Sequence, residues 1–165
     1  MQANRGKMII VGMADLNVTK VPGILTTMGL GSCVGIALYD SITKVAGLAH
    51  IMLPDSKAIQ NNSNVAKFAD TALVKLISDM ERLGANRRNL RAKIAGGAQM
   101  FAFNATNESL RIGDRNVEAT KKGLQLHGIA LLAQETGANF GRTVELYSED
   151  GRFLIKTIGQ GIRTL

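Results

Sequence analysis

The sequence predicts an α+β protein folded as a single domain over residues 1–165. Strand-like runs occur in pairs separated by turn residues, which makes hairpins. Two stretches have helical spacing, and they interrupt the strands instead of alternating with them as a βαβ repeat would. No internal repeat, low-complexity tract or linker divides a chain long enough to bury one sizeable core.

The elements follow in order. "MIIVGMADLNV", Met8 to Val18, is rich in β-branched and apolar residues and predicts a first strand. "KVPGIL" holds Pro22 and Gly23 and predicts a turn. "CVGIALYD" and "KVAGLAHIML", parted by "SIT", predict a hairpin turning around Ser41 and Ile42. "PDSKAIQNNSN" is a polar connection ending in cap-type residues. Val65, Phe68, Ala69, Ala72, Leu73, Leu76, Ile77, Met80 and Leu83 then follow the spacing of one helical face. Ser63 or Asn64 can cap its start and Gly84 its end. "LRAKIAGGAQMF" predicts a strand running into Gly96 and Gly97, where the backbone bends or is closely approached. A second helix is expected from Asp114 to His127, with Val117, Thr120 and Leu124 on one face. "GIALLAQ" reads as a short buried strand, and "RTVELYSEDGRFLIKTI" as a hairpin with Asp150 and Gly151 in its turn.

Composition narrows the function classes. Hydrophobic residues make up 45% of the chain and there are two prolines, which marks a folded globular protein. One cysteine excludes an intrachain disulfide and fits a reducing cytosol. One cysteine and two histidines make a structural zinc site hard to assemble, so no metal or cofactor is expected. The first apolar run breaks at Gly12 and Asp15, too early for a secretory core, and no apolar window of about 18 residues follows. The expectation is a soluble, cytoplasmic protein without membrane insertion. The formal charge of +7 favours acidic partners. Arg87, Arg88, Arg91 and Lys93 form the densest cluster, either a solvated connection or a face for an acidic protein. With five Phe, two Tyr and no Trp, nucleic acid is not expected as a partner.

The lone cysteine, Cys33, raises the chemical question. If Asp40 faces Thr43 across the first hairpin, Cys33 falls directly opposite His50, with Cα atoms roughly 4.5–5.5 Å apart. An adjacent imidazole can take the proton of a thiol whose pKa is ordinarily about 8.5. Gly29 and Gly31 in "GLGSC" let a substrate backbone come close and free amide N–H groups to face an oxyanion. The string is no dinucleotide fingerprint, because Val34 stands where the third glycine is needed. The competing reading stays open: Cys33 as a small buried side chain and His50 as a hydrogen-bonded core residue. The other histidine, His127, ends the second helix and reads as a dipole or surface residue.

"GLGSCVGIALYD", "AGLAHIMLP", "KIAGGAQMF", "IGDRN" and "GRTVELYSEDG" together resemble, in order and spacing, the CheD family of chemoreceptor glutamine deamidases, from about Met8 to Ile158. The resemblance implies hydrolysis of selected glutamines in the cytoplasmic helices of methyl-accepting chemotaxis receptors. It places the catalytic cysteine on Cys33, the histidine on His50 and a supporting threonine on Thr27, with Thr26 as its neighbour. Gly31 and Ser32 are the expected substrate-binding positions. The implied fold is a β-sandwich core with helices packed outside, like that of cysteine-dependent deamidating toxins. The resemblance also implies binding to the CheC phosphatase, whose activity the family raises. One departure is "ETGANFGRT", where Thr136 and Ala138 stand in a loop expected to be richer in glycine. A binding protein that chiefly regulates CheC is the alternative, and an unrelated α+β domain with an inert cysteine is a third reading.

Overall fold

The two arms of the first hairpin carry apolar residues on both faces, and the structure gives each face its own partner. The computed structural model describes residues 6–99 and 111–165. Along them run β1 (Met8–Ile10), β2 (Asp15–Lys20), β3 (Ile24–Leu30), β4 (Val34–Asp40) and β5 (Val45–Ile51). Next come α1 (Ala69–Arg82), β6 (Leu90–Gly96), α2 (Ile112–Leu126) and β7 (Ala130–Thr136), then β8 (Arg142–Tyr147), β9 (Phe153–Thr157) and β10 (Gly161–Thr164).

The strands form two five-stranded sheets, ordered β1-β3-β8-β9-β10 and β2-β5-β4-β6-β7. Period-two alternation sorts their side chains. Leu25, Ala37, Leu48, Val144, Leu146, Phe153 and Ile155 meet in a cluster between the sheets. Val34, Ile36, Leu38, Val45, Ala49 and Ile51 face the other way, onto Leu73, Leu76, Ile77 and Met80 of α1 and onto Val117 and Leu124 of α2. Gly47 of β5 lets α1 lie close, since a Cβ there would stand 2.7 Å from the Met80 sulfur. The molecule is therefore a sandwich of two sheets with its helices outside, as expected.

Several sequence expectations need correction. The run from Met8 to Val18 is two strands, because it crosses between sheets: β1 pairs with β3 and β2 with β5. Ala14, at φ 56°, sits in the turn between them. The first helical face begins with a 3-10 turn, Val65–Lys67, capped by the Asn64 side chain, and α1 starts only at Ala69 after an extended Phe68. The strand read in "GIALLAQ" is β7, an edge strand that alternates exposed and half-buried residues. β3 and β10 are strands not read from the sequence, and the first residues of β3, Ile24 and Leu25, fell in the run expected as a turn. The second helix and the hairpin carrying Asp150 and Gly151 in its turn stand as expected.

The largest correction concerns the first hairpin. Asp40 pairs with Val45, and Gly35, not Cys33, lies opposite His50. The turn has four residues because Asp40 organises it. Its carboxylate accepts from the N–H groups of Ile42 (2.9 Å) and Thr43 (3.2 Å), and its carbonyl accepts from Lys44 N–H at 2.8 Å. Lys44 closes the turn at φ 56°. The register is thus displaced by two residues, and an even displacement leaves every side chain on its original face.

Candidate active site

Cys33 ends the loop that leads into β4, two residues before Gly35, so it remains on the face of the hairpin that carries His50. That diagonal relation spans roughly 7–8 Å between Cα atoms in a regular ladder, within reach of two extended side chains. Cys33 belongs to the cluster between the sheets and is 7% exposed, while His50 and Thr27 are fully buried.

Thr27 comes from β3 in the opposite sheet, and its Oγ1 lies 2.7 Å from His50 Nδ1. The same hydroxyl lies 2.7 Å from the Val11 carbonyl. A carbonyl can only accept, so the single hydroxyl proton goes to Val11 and Thr27 accepts from the ring. Nδ1 therefore carries the imidazole proton, and Nε2 presents its lone pair. Nε2 is buried and has no hydrogen-bond partner among the described residues. The neighbouring Thr26 is turned away, donating from Oγ1 to the Val144 carbonyl at 2.8 Å.

The cysteine loop is held by its carbonyls. Gly31 O accepts from Ala98 N–H (2.8 Å) and Cys33 O from Gly97 N–H (2.8 Å). Ser32 O accepts from Asn116 Nδ2 at 2.9 Å. The bend expected at Gly96 and Gly97 provides two of these contacts. Both glycines have positive φ, 105° and 66°, and a Cβ on Gly96 would run into the Cys33 carbonyl. With their oxygens engaged, Gly31 and Ser32 are tied in place immediately before Cys33.

Burial sets the electrostatics. It pushes the Cys33 thiol up, against a smaller opposing effect of its own backbone N–H, and pushes the His50 imidazole down. Both shifts favour the neutral forms, so the resting site is uncharged. His127 lies at the end of α2, away from this cluster. Burial first, and then the Arg87 charge, hold its imidazole low, the opposite of what a helix C-terminus alone would do.

Sequence reasoning missed two contributors, the Val11 carbonyl and Asn116. Nothing in a sequence marks a carbonyl. Asn116 did leave a signal: it lies one helical turn before Thr120 and two before Leu124, so an amide falls on the stripe that the helix buries. Among the described residues there is no group of three His, Cys, Asp or Glu suited to a metal ion, and no helix long and apolar enough to cross a membrane.

Fold and site together define the class: an α+β sandwich that encloses a cysteine and a histidine held by a threonine from the facing sheet. Comparison with known proteins supplies the family. The family described as CheD chemotactic sensory transduction matches residues 52–157. The chain is 59% identical over 157 residues to the probable chemoreceptor glutamine deamidase CheD of Caldanaerobacter subterraneus subsp. tengcongensis, covering 95% of this chain and 97% of that protein. It is 55% identical over 152 residues to the chemoreceptor glutamine deamidase CheD of Halalkalibacterium halodurans, covering 92% and 94%. The chain belongs to the CheD family. A solved structure titled Bacillus licheniformis hypothetical protein YfiH aligns at a TM-score of 0.46 with 14% identity, over 84% of this chain and 62% of that one, too distant to bear on function.

Proposed function

We propose that this protein deamidates chosen glutamine side chains of chemotaxis receptors to glutamate, with Cys33 as nucleophile, His50 as base and acid, and Thr27 as the group that orients the imidazole. Family membership supports the reaction, since relatives carry the name chemoreceptor glutamine deamidase. The observation that carries the residue roles is the tautomer of His50. Thr27 fixes the proton on Nδ1 and leaves a lone pair at Nε2 on the face that Cys33 shares.

The thiol proton passes to Nε2 as sulfur attacks the amide carbon, because a neutral resting pair separates charge only when attack begins. The amide oxygen becomes an oxyanion, for which the N–H groups of Cys33 and Ser32 are our donors. The imidazolium gives its Nε2 proton to the amide nitrogen, the carbon–nitrogen bond breaks, and ammonia leaves a thioester. Water loses a proton to Nε2 and attacks the thioester. Collapse expels the sulfur, which recovers the proton from the imidazolium and frees glutamate. A neutral threonine stabilises imidazolium less than a carboxylate would, so turnover is modest. A glutamate methyl ester offers a similar acyl centre, and slow methylesterase activity belongs to the same proposal.

Cytoplasmic location, binding of CheC and the likeness of the sandwich to cysteine-dependent deamidating toxins complete the reading. The +7 charge supports an acidic protein partner. Mass spectrometry of a receptor fragment before and after incubation is the test. Conversion of amide to acid by the wild type and none by Cys33→Ser supports the enzyme. No conversion, with tight binding of CheC, would leave a regulator whose site is only a docking surface.

A further inference from the structure

Asn116 stands behind the site. Its Nδ2 is 2.9 Å from the Ser32 carbonyl and 2.9 Å from the Met52 carbonyl, so its two amide protons are divided between them. Ser32 directly precedes Cys33, and Met52 follows His50 by two residues. In the observed register, positions 33 and 52 would face each other just beyond the end of the β4–β5 ladder, which closes with Val34 opposite Ile51. The strands lose their mutual hydrogen bonds at the point where the chemistry needs them fixed. One fully buried side chain spans the gap.

The two carbonyls fix the orientation of the amide. Turning it over would point Oδ1 at two carbonyl oxygens and forfeit both bonds. The helix is also fixed relative to the loop. A Cβ on Gly113 would stand 2.7 Å from the Gly97 carbonyl oxygen, and Gly97 is the residue that donates to Cys33 O. Asn116 approaches from the side of the sheet covered by α2, where its neighbours Val117 and Leu124 belong to the helix-facing core. Cys33 belongs to the opposite face, between the sheets. The amide thus touches the backbone beside each reacting residue, at Ser32 and at Met52, without standing on the face where Cys33 and His50 react.

We infer that Asn116 is a positioning residue: it clamps the nucleophile loop to the strand carrying the base, and so sets the distance between Cys33 and His50. This rests on Cys33 and His50 acting as proposed above. A misplacement of about 1 Å between reacting groups costs on the order of 100-fold in rate. Asn116→Asp keeps the shape and replaces two donors with a carboxylate facing two carbonyls. It should lower kcat for receptor deamidation about 100-fold while KM stays within about twofold.

A second readout needs no receptor. In the wild type, His50 can assist alkylation of Cys33 by chloroacetamide below the thiol's own pKa. In Asn116→Asp the thiol should react only as it ionises, so the pH–rate profile moves to higher pH. The wild type and both variants are compared as full chains, with folding checked by circular dichroism and thermal midpoint. If Asn116→Asp does not fold, Asn116→Ala removes the donors without adding charge and carries the same expectation. An unchanged kcat and an unchanged alkylation profile in a folded variant would overturn the clamp, as would a change in KM alone. A wild type that converts no receptor glutamine would sink the deamidase reading instead, and the alkylation profiles would still decide whether Asn116 couples His50 to Cys33.

Discussion

At the scale of single residues, the hydroxyl of Thr27 has one task that its neighbour cannot share. Removing it by Thr27→Ala leaves the Nδ1 proton of a buried ring without an acceptor, and a hydrogen bond of that kind contributes on the order of 1 kcal/mol. Deamidation should fall about fivefold, the rate equivalent of that energy. Thr26→Ala should leave the rate near that of the wild type, because Thr26 serves the Val144 carbonyl. Kinetics on a receptor fragment give the ranking, and the reverse order would remove Thr27 from its role. His50 also ties stability to pH. Its folded pKa is depressed by burial, so between the ordinary imidazole value of about 6.5 and the lower folded value the unfolded chain binds a proton that the folded chain refuses. Stability is full above that window and is lost as pH falls through it. Thermal midpoints measured from pH 7 to pH 5 should decline more steeply for the wild type than for His50→Gln, and parallel curves would contradict the shift. Cys33 and His50 stood out in the sequence because the chain has one cysteine and two histidines, whereas Thr27, one threonine among many, was singled out only by the family resemblance. It hid the Val11 carbonyl, since every residue has one, and the tautomer depends on that carbonyl.

Among the elements, the first hairpin shows what pattern can and cannot reveal. Alternation told which face Cys33 and His50 occupy, and the two-residue displacement left that intact. The turn itself was misread because its length is set by side-chain capping from Asp40 and by a lysine at positive φ, and neither has the signature of a glycine turn. The bend after β6 was legible for the opposite reason: paired glycines announce it. Gly96→Ala should test its purpose. The substitution meets both a positive φ and the Cys33 carbonyl, and should cost about 1–3 kcal/mol of stability. Gly128→Ala is the comparison, at φ 67° with open space around it, where only the backbone term of about 1 kcal/mol applies. Urea unfolding of both variants gives the difference. Equal costs would mean that the bend does not press on the cysteine loop.

For the molecule as a whole, two contacts join the sheets at the same end: Thr27 with His50, and Arg142 of β8 with Glu135 of β7. Glu135 pairs with Ala95, Ala95 with Gly35 and Gly35 with His50, so both contacts lie in one row across the second sheet. Arg142 has a side chain only 1% exposed, and Glu135→Gln would leave its charge uncompensated. A loss of about 3 kcal/mol is expected, largely recovered in Glu135→Gln/Arg142→Met, because an apolar pair can replace a buried ionic one. Urea midpoints of the single and double variants measure it, and additive losses would contradict the pairing. Charge acts at longer range. The exposed Arg115, Lys121 and Lys122 on α2 contribute to the +7 balance, a sign that favours acidic partners. Association with a receptor fragment should slow as salt rises, and reversing Lys121 and Lys122 to Glu should weaken that dependence. An on-rate indifferent to salt would remove electrostatic steering. The α+β class was visible in the hairpin pairs. The division of the described strands between two sheets was not, since a strand's pattern shows that it has a buried face but not which sheet it joins.

The seclusion of Cys33 has a consequence for the protein's durability. Peroxide attacks thiolates that it can reach, and proceeds through sulfenic to sulfinic acid when nothing intervenes. A sulfur whose pKa burial raises, with 7% of its residue's surface exposed, offers an oxidant little standing thiolate and only a narrow approach. In the proposed mechanism the thiolate forms only as the sulfur attacks a substrate, which then fills the space an oxidant would need. An idle enzyme of this design should therefore survive oxidative stress that inactivates hydrolases storing a preformed thiolate, without a reductant to restore it.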